Sequence, residues 1–295
     1  MQTAPFRERT PPAAEASTRT KVVEPVSSTE PAPSVRLARN YGLGSAASAV
    51  VVVILMIALL VSAFMNPAFG WGVFAEYFFS EPILRGVFWT LILTAISMFV
   101  AVALGTLLAI MRMSANPILQ SGSVMFCWFF RGIPVLVQLI FWYNFALLFS
   151  YIGPFPTNKV VTPFIAAILG LGLSMAAYMA EVVRGGILSV GAGQVEAIRS
   201  LGMTRSQGLR RVILPQAMRV VLPPMGNELI ALLKWTSLAS VIAVSEVMHE
   251  SSLIYSRNFQ VIPLLLVAAT WYLVVTTVFS FGQQYLERHF GKGAH

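Results

Sequence analysis

Few side chains in this 295-residue chain are of the kinds that carry out chemistry, and their spacing narrows the options further. All twelve acids are glutamate. The three histidines fall at or after His249, and Cys127 is the single cysteine. A metal centre or an internal disulfide needs clustered His, Cys or carboxylate groups, so no metal site and no disulfide is expected. Lys21, Lys159, Lys234 and Lys292 are the only lysines, and none is followed by Ser or Thr. The chain therefore has no G-x-x-x-x-G-K-[ST] phosphate loop. What stands out is a polar, basic stretch, VEAIRSLGMTRSQGLRRVILPQA, at residues 195–217, flanked by long apolar runs.

That stretch reads as two short helices with a break. Val195, Ile198 and Leu201 recur at a spacing of three and share a face, and Glu196 and Arg199 are placed as an i,i+3 ion pair. Gly202 is expected to end the first helix at its C′ position. Thr204 and Gln207 fit a T-x-x-Q capping box that starts the second, whose Leu209, Val212 and Ile213 form an apolar stripe. Pro215 is expected to break the pattern, and Pro223–Pro224 to break it again. A solvated basic loop is the plain alternative. An ordered apolar stripe facing water is costly unless lipid, the rest of the chain or a partner covers it.

The elements that must position this stretch are membrane spans. The chain is 57% hydrophobic and 11% charged, with a mean hydropathy of +0.74, where soluble domains run at about 45–50% apolar and about 25% charged. A span needs about 20 apolar residues, and six runs supply them: 45–65, 87–111, 133–150, 162–180, 226–247 and 261–283. With both termini cytoplasmic, seventeen of the twenty Lys and Arg lie inside, leaving Arg85, Lys159 and Arg257 outside. The positive-inside rule selects that orientation and accounts for the net charge of +8 without nucleic acid. The expected organisation is a disordered cytoplasmic tail (1–44), a first span (45–65) and an aromatic-rich extracytoplasmic interfacial segment (66–86). A core (87–287) follows, with a cytoplasmic loop at 184–225, and then a cytoplasmic C-terminus (288–295).

The stretch also carries a family resemblance. EAIRSLGMTRSQGLRRVILP resembles the EAA signature of ABC-transporter permease subunits, with Glu196-Ala197-Ile198, Gly202, Val212, Leu214 and Pro215 at its positions. FFRGIPVLVQLIFWYN (129–144), AAYMAEVVRGGI (176–187) and LPPMGNELIALLKWTSL (222–238) look like the histidine/glutamine-type branch, which takes up polar amino acids. Ile133 and Trp235 stand where that branch usually has threonine and aspartate, and Ser174-Met175 replaces a commonly polar pair.

The resemblance implies an all-α membrane protein of the type I ABC importer permease fold, a five-span core with one added N-terminal span, in a bacterial inner membrane. It implies a non-catalytic subunit that moves amino acids by alternating access. ATP and Mg would be bound by a separate ATPase dimer, substrate delivered by an extracytoplasmic binding protein, and the pathway completed by a second permease copy or a homologue. The coupling residues would be Glu196, Ala197, Arg199, Gly202, Met203, Thr204, Arg205, Arg210, Leu214 and Pro215.

Ionisable residues within spans are functional candidates by default, and a zwitterionic solute needs polar partners. The pathway candidates are Ser174, Met175, Glu181, Asn227, Glu228, Lys234, Thr236 and Ser237. Glu181 and Arg184 also suit a structural ion pair. Lys234, about 12 Å into its span at 1.5 Å per residue, suits snorkelling to the interface as well as a pathway role. Glu246, His249 and Glu250 read as a solvated outer helix end. An intramembrane enzyme acting on lipids would need convergent Asp, His, Ser or Cys groups, for which this inventory is poor. A secondary transporter or channel for small polar solutes is the remaining alternative.

Overall fold

A computed structural model describes residues 43–290. The expected tail at 1–44 falls almost wholly outside these residues, as does the end of the C-terminal segment. Contacts divide the chain into one unit up to Leu59 and a second from Leu60 onward. In the first, α1 (Leu43–Met65) begins; its window from Ala47 carries no charge and suffices to cross a membrane.

In the second unit a short 3₁₀ turn leads to α2 (Trp71–Phe78), then α3 (Glu81–Arg112), α4 (Pro117–Gly132), α5 (Val135–Tyr143) and α6 (Phe145–Leu148). A two-stranded antiparallel hairpin pairs Tyr151 with Pro156 and Ile152 with Phe155. Then come α7 (Thr157–Val160), α8 (Pro163–Leu188), α9 (Ala192–Ser200) and α10 (Arg205–Gly208). A π-helical turn (Leu209–Ile213) leads into α11 (Leu214–Trp235), which tightens into a 3₁₀ segment (Thr236–Ile242) before α12 (Val247–Asn258) and α13 (Val261–Phe290).

Among the described residues four helices are long and apolar enough to be spans, and two bent pairs raise the number to at most six. The expected spans at 45–65, 87–111, 162–180 and 261–283 fall on the four, whereas those at 133–150 and 226–247 are not single helices: the third run holds the short α5 and α6, and the fifth leaves α11 for a 3₁₀ segment after Trp235. The segment between the second and third runs, expected to be a loop, is α4, which meets α5 at 98°. Asn116 caps α4 through a bond from Ile118 N–H (2.9 Å), and Pro117 fits its first turn. The fifth helix starts twelve residues before 226. Pro215 closely follows the π turn inside a helical run that begins at Arg205, and neither it nor Pro223 and Pro224 ends the helix.

The core is built around α8, whose small residues let neighbours approach closely. Ala166, Ala167, Ala176, Ala177 and Ala180 are all buried. Facing them, Gly105 of α3 leaves no room for a side chain. A Cβ there would stand 2.5 Å from Met179 Cβ and 2.9 Å from the Ala176 carbonyl. Leu93, Leu139, Leu171, Met175, Leu232 and Ile242 join α3, α5, α8 and α11 in one apolar cluster. In the first half of α13, Trp271 donates its indole N–H to Phe78 O (2.8 Å) and stacks on Phe78, which ties the aromatic α2 to the bundle.

Candidate coupling and translocation sites

The polar stretch folds into a capped helix–turn–helix. At the end of α9, Gly202 adopts φ +66°. Its N–H reaches Arg199 O (3.0 Å) while Met203 N–H reaches Ile198 O (3.1 Å), the two bonds of a Schellman motif. Thr204 then opens α10 with a complete capping box: Gln207 N–H donates to Thr204 Oγ1 (3.3 Å) and Thr204 N–H to Gln207 Oε1 (2.9 Å). Ile198 is buried beneath Gly208, where an added Cβ would fall 2.6 Å from Ile198 Cγ2. The π turn joins α10 to α11 with no break at Pro215, so the second helix runs straight into a span.

Two expectations for this stretch are corrected. Glu196 takes part in none of the ion pairs among the described residues, so the Glu196–Arg199 pair is not formed; both side chains are exposed. The supposed apolar face also divides. Ile198 is buried and Val195 half-buried, but Leu201, the last residue before the turn, is 76% exposed. Leu201, Leu209 and Leu214 are thus outward apolar groups among the exposed Ala197, Arg199, Thr204, Arg205, Arg210 and Pro215, with Met203 half-buried. The stretch presents a charged surface with three projecting leucines.

Glu181 lies at the centre of a second cluster. Its Oε1 accepts from Arg112 of α3, and its Oε2 accepts from Arg184 Nε (3.2 Å) and Nη2 (3.1 Å). Arg131 of α4 approaches to 3.7 Å and covers the Tyr178 ring at 5.2 Å. Tyr178 in turn meets Trp235 of α11 edge-on at 5.8 Å. The expected Glu181–Arg184 pair is present, and Glu181 additionally joins the ends of three helices.

The remaining pathway candidates separate by exposure. Ser174 is fully buried and donates to Gln138 Oε1 (2.8 Å), while Gln138 Nε2 donates to Phe130 O (3.0 Å) and Ile133 O (2.9 Å). This amide satisfies the carbonyls freed at the α4–α5 bend, and Ser174 holds it there. Met175 is core, and Thr236 is buried and bonded to Leu233 O (2.6 Å). Ser237 bonds Lys234 O (2.8 Å). Asn227 and Lys234, seven residues apart on α11, are both exposed, with Glu228 half-buried beside them. Asn227 Oδ1 accepts from Gln283 of α13 (2.9 Å).

The outer helix end also differs from expectation. Glu246 and Glu250 are buried rather than solvated. Glu246 caps α12, accepting from Met248 N–H (2.9 Å), His249 N–H (2.6 Å) and the Tyr272 hydroxyl, while Glu250 faces Arg85 (3.5 Å). A glutamate immediately before a helical run was the available signal for the cap. Its burial depends on Tyr272 and Thr90, distant in sequence; Thr90 Oγ1 accepts from Val247 N–H (3.2 Å).

The fold is thus a bundle of broken and unbroken candidate membrane spans, with one ordered polar helix–turn–helix that continues into a span. Residues 101–292 match the family of binding-protein-dependent transport system inner membrane components, and the chain belongs to it. It is a multi-pass inner-membrane permease subunit of the ABC-importer kind, in the amino-acid branch. The arginine transport system permease protein ArgU of Corynebacterium glutamicum is 44% identical, covering 84% of this chain and 80% of its own. The L-cystine transport system permease protein TcyB of Bacillus subtilis is 36% identical over 76% of this chain and 92% of its own. A solved amino acid ABC transporter with histidines superposes with a TM-score of 0.64 at 33% identity, covering 70% of this chain and 94% of that one.

Proposed function

We propose that this permease carries polar amino acids into the cytoplasm. The solute is delivered by an extracytoplasmic binding protein, and transport is driven by ATP that a separate ATPase dimer hydrolyses with Mg. Both termini face the cytoplasm in this reading, which the uneven distribution of Lys and Arg supports. The loop at 184–225 then lies on the ATPase side, and a second permease copy or a homologue completes the pathway. The observation that carries the reading is the capped hairpin at 192–208, fused through the π turn to α11. A force applied to its exposed leucines passes into a span without crossing a flexible joint.

The relatives' names favour an amino acid as cargo: arginine, cystine, glutamine, nopaline and octopine all occur among them. In this reading Asn227, Glu228 and Lys234 of α11, with the half-buried Ser237, meet the solute, and Ser174, Met175, Glu181 and Thr236 shape the path by holding helices in place. Alternating access follows when nucleotide binding biases a two-state element shared by both sites. The test is uptake of labelled amino acids into proteoliposomes holding the permease, its ATPase and its binding protein. Uptake that needs internal ATP and the binding protein supports the reading. Uptake that follows an ion gradient and ignores ATP assigns the chain to secondary transport instead.

A further inference from the structure

The pocket between α3, α4 and α8 is lined by Arg112, Val124, Trp128, Arg131, Tyr178 and Glu181. Three arginines converge here, counting Arg184, and both oxygens of Glu181 are already taken by Arg112 and Arg184. Glu228 of α11 is within electrostatic range of Arg131, which still leaves guanidiniums in excess. Arg131 makes no hydrogen bond among the described residues and is 45% exposed at its side chain. A guanidinium presents five N–H donors in a fork suited to oxyanions.

The position of the pocket indicates which oxyanion. Arg112 ends α3 and Arg184 lies in the last two turns of α8, the depth at which a bilayer places its headgroups. Beside the arginines, α4 presents an exposed apolar wall: Trp128 at 73% exposed, with Val124 and Met125 next to it. A small soluble anion has no use for such a wall, whereas acyl chains do. Basic pockets between spans on the cytoplasmic side suit acidic lipid headgroups.

We propose that this pocket seats the phosphate of an anionic phospholipid against Arg131, with its acyl chains along the Val124–Trp128 face of α4. The lipid supplies the counter-charge the arginine cluster lacks. It also braces α4 across the ends of α3 and α8. This goes beyond the importer reading and rests on its orientation, with both termini cytoplasmic; the readout, lipid retention rather than uptake, keeps a failure of the one distinct from a failure of the other.

The test is native mass spectrometry of the full chain purified with its ATPase and titrated with phosphatidylglycerol or with phosphatidylcholine of the same acyl composition. The expected result is a preference for phosphatidylglycerol, at one molecule per permease copy, that falls about fivefold in Arg131→Gln, the loss of one basic group near the bilayer surface. Arg257→Gln, at the end of α12, leaves the preference unchanged. On the wild-type protein alone, rising salt weakens phosphatidylglycerol retention and spares phosphatidylcholine. An unchanged preference in Arg131→Gln, or salt-independent retention, overturns the proposal. Displacement of the lipid by inorganic phosphate beyond that by chloride at the same ionic strength overturns it in favour of a free-anion site, and displacement by free amino acid in favour of a cargo exit site.

Discussion

Gly202→Val isolates the turn of the coupling hairpin. Gly202 holds φ +66°, a region that costs a residue with a Cβ about 1–2 kcal/mol and most strongly disfavours β-branched side chains. No atom lies within 4 Å of a Cβ built there, so the substitution strains the backbone without a clash. That cost is too small to unfold the chain and is confined to the Schellman turn between α9 and α10. It shifts the equilibrium constant between the formed and opened turn by about 5–30-fold, at 1.4 kcal/mol per tenfold. ATP-driven uptake and ATPase co-purification should fall by at most that factor, while membrane insertion and thermal midpoint stay near wild type. Gly202→Asn, which tolerates the left-handed region, should retain most uptake. If the valine variant transports normally with its ATPase bound, or if asparagine is as damaging as valine, the reasoning fails.

Other substitutions probe the bundle. Gln138→Leu strands the Phe130 and Ile133 carbonyls and the Ser174 hydroxyl at about 1–3 kcal/mol for each group left unpaired. Its thermal midpoint should drop well below that of Ser174→Ala, which loses one bond; equal midpoints would remove the bend-stapling role. Gly105→Ala places a Cβ against the Ala176 and Ala180 backbone, forcing α3 from α8 at about 1–3 kcal/mol. A lowered unfolding midpoint in detergent checks this, and a wild-type midpoint refutes it. Glu246→Ala frees the Met248 and His249 N–H groups and the Tyr272 hydroxyl. Loss of a cap costs about 0.5–2 kcal/mol, so amide exchange across residues 247–258 should quicken by several-fold with the rest of the bundle unaffected.

Local features are legible in the sequence and through-space ones are not. The apolar runs mark the four unbroken spans, because span length is fixed by bilayer thickness. Gly202, Thr204 and Gln207 mark the hairpin, because caps depend only on neighbours three residues away. The 98° α4–α5 bend leaves no local trace, since what stabilises it is Gln138 bonded to Ser174, 36 residues on. Polarity alone does not separate Ser174 and Thr236, buried in structural bonds, from Asn227 and Lys234, which remain exposed. Pro223 and Pro224 signal a break, yet α11 continues through them, packed against α8 and α13. Glu246 shows the same limit, because its burial comes from α3 and α13.

If the hairpin transmits force from an ATPase to the spans, its turn must touch that ATPase, and crosslinking there reads the contact. Met203→Cys, in the full chain with Cys127→Ser, is treated with a thiol-to-amine crosslinker in membranes that contain the ATPase, with and without nucleotide. A permease–ATPase product whose yield changes with nucleotide is expected. Labelling of the introduced thiol only by membrane-dissolved or externally added impermeant reagents, with no ATPase adduct in any nucleotide state, would contradict it.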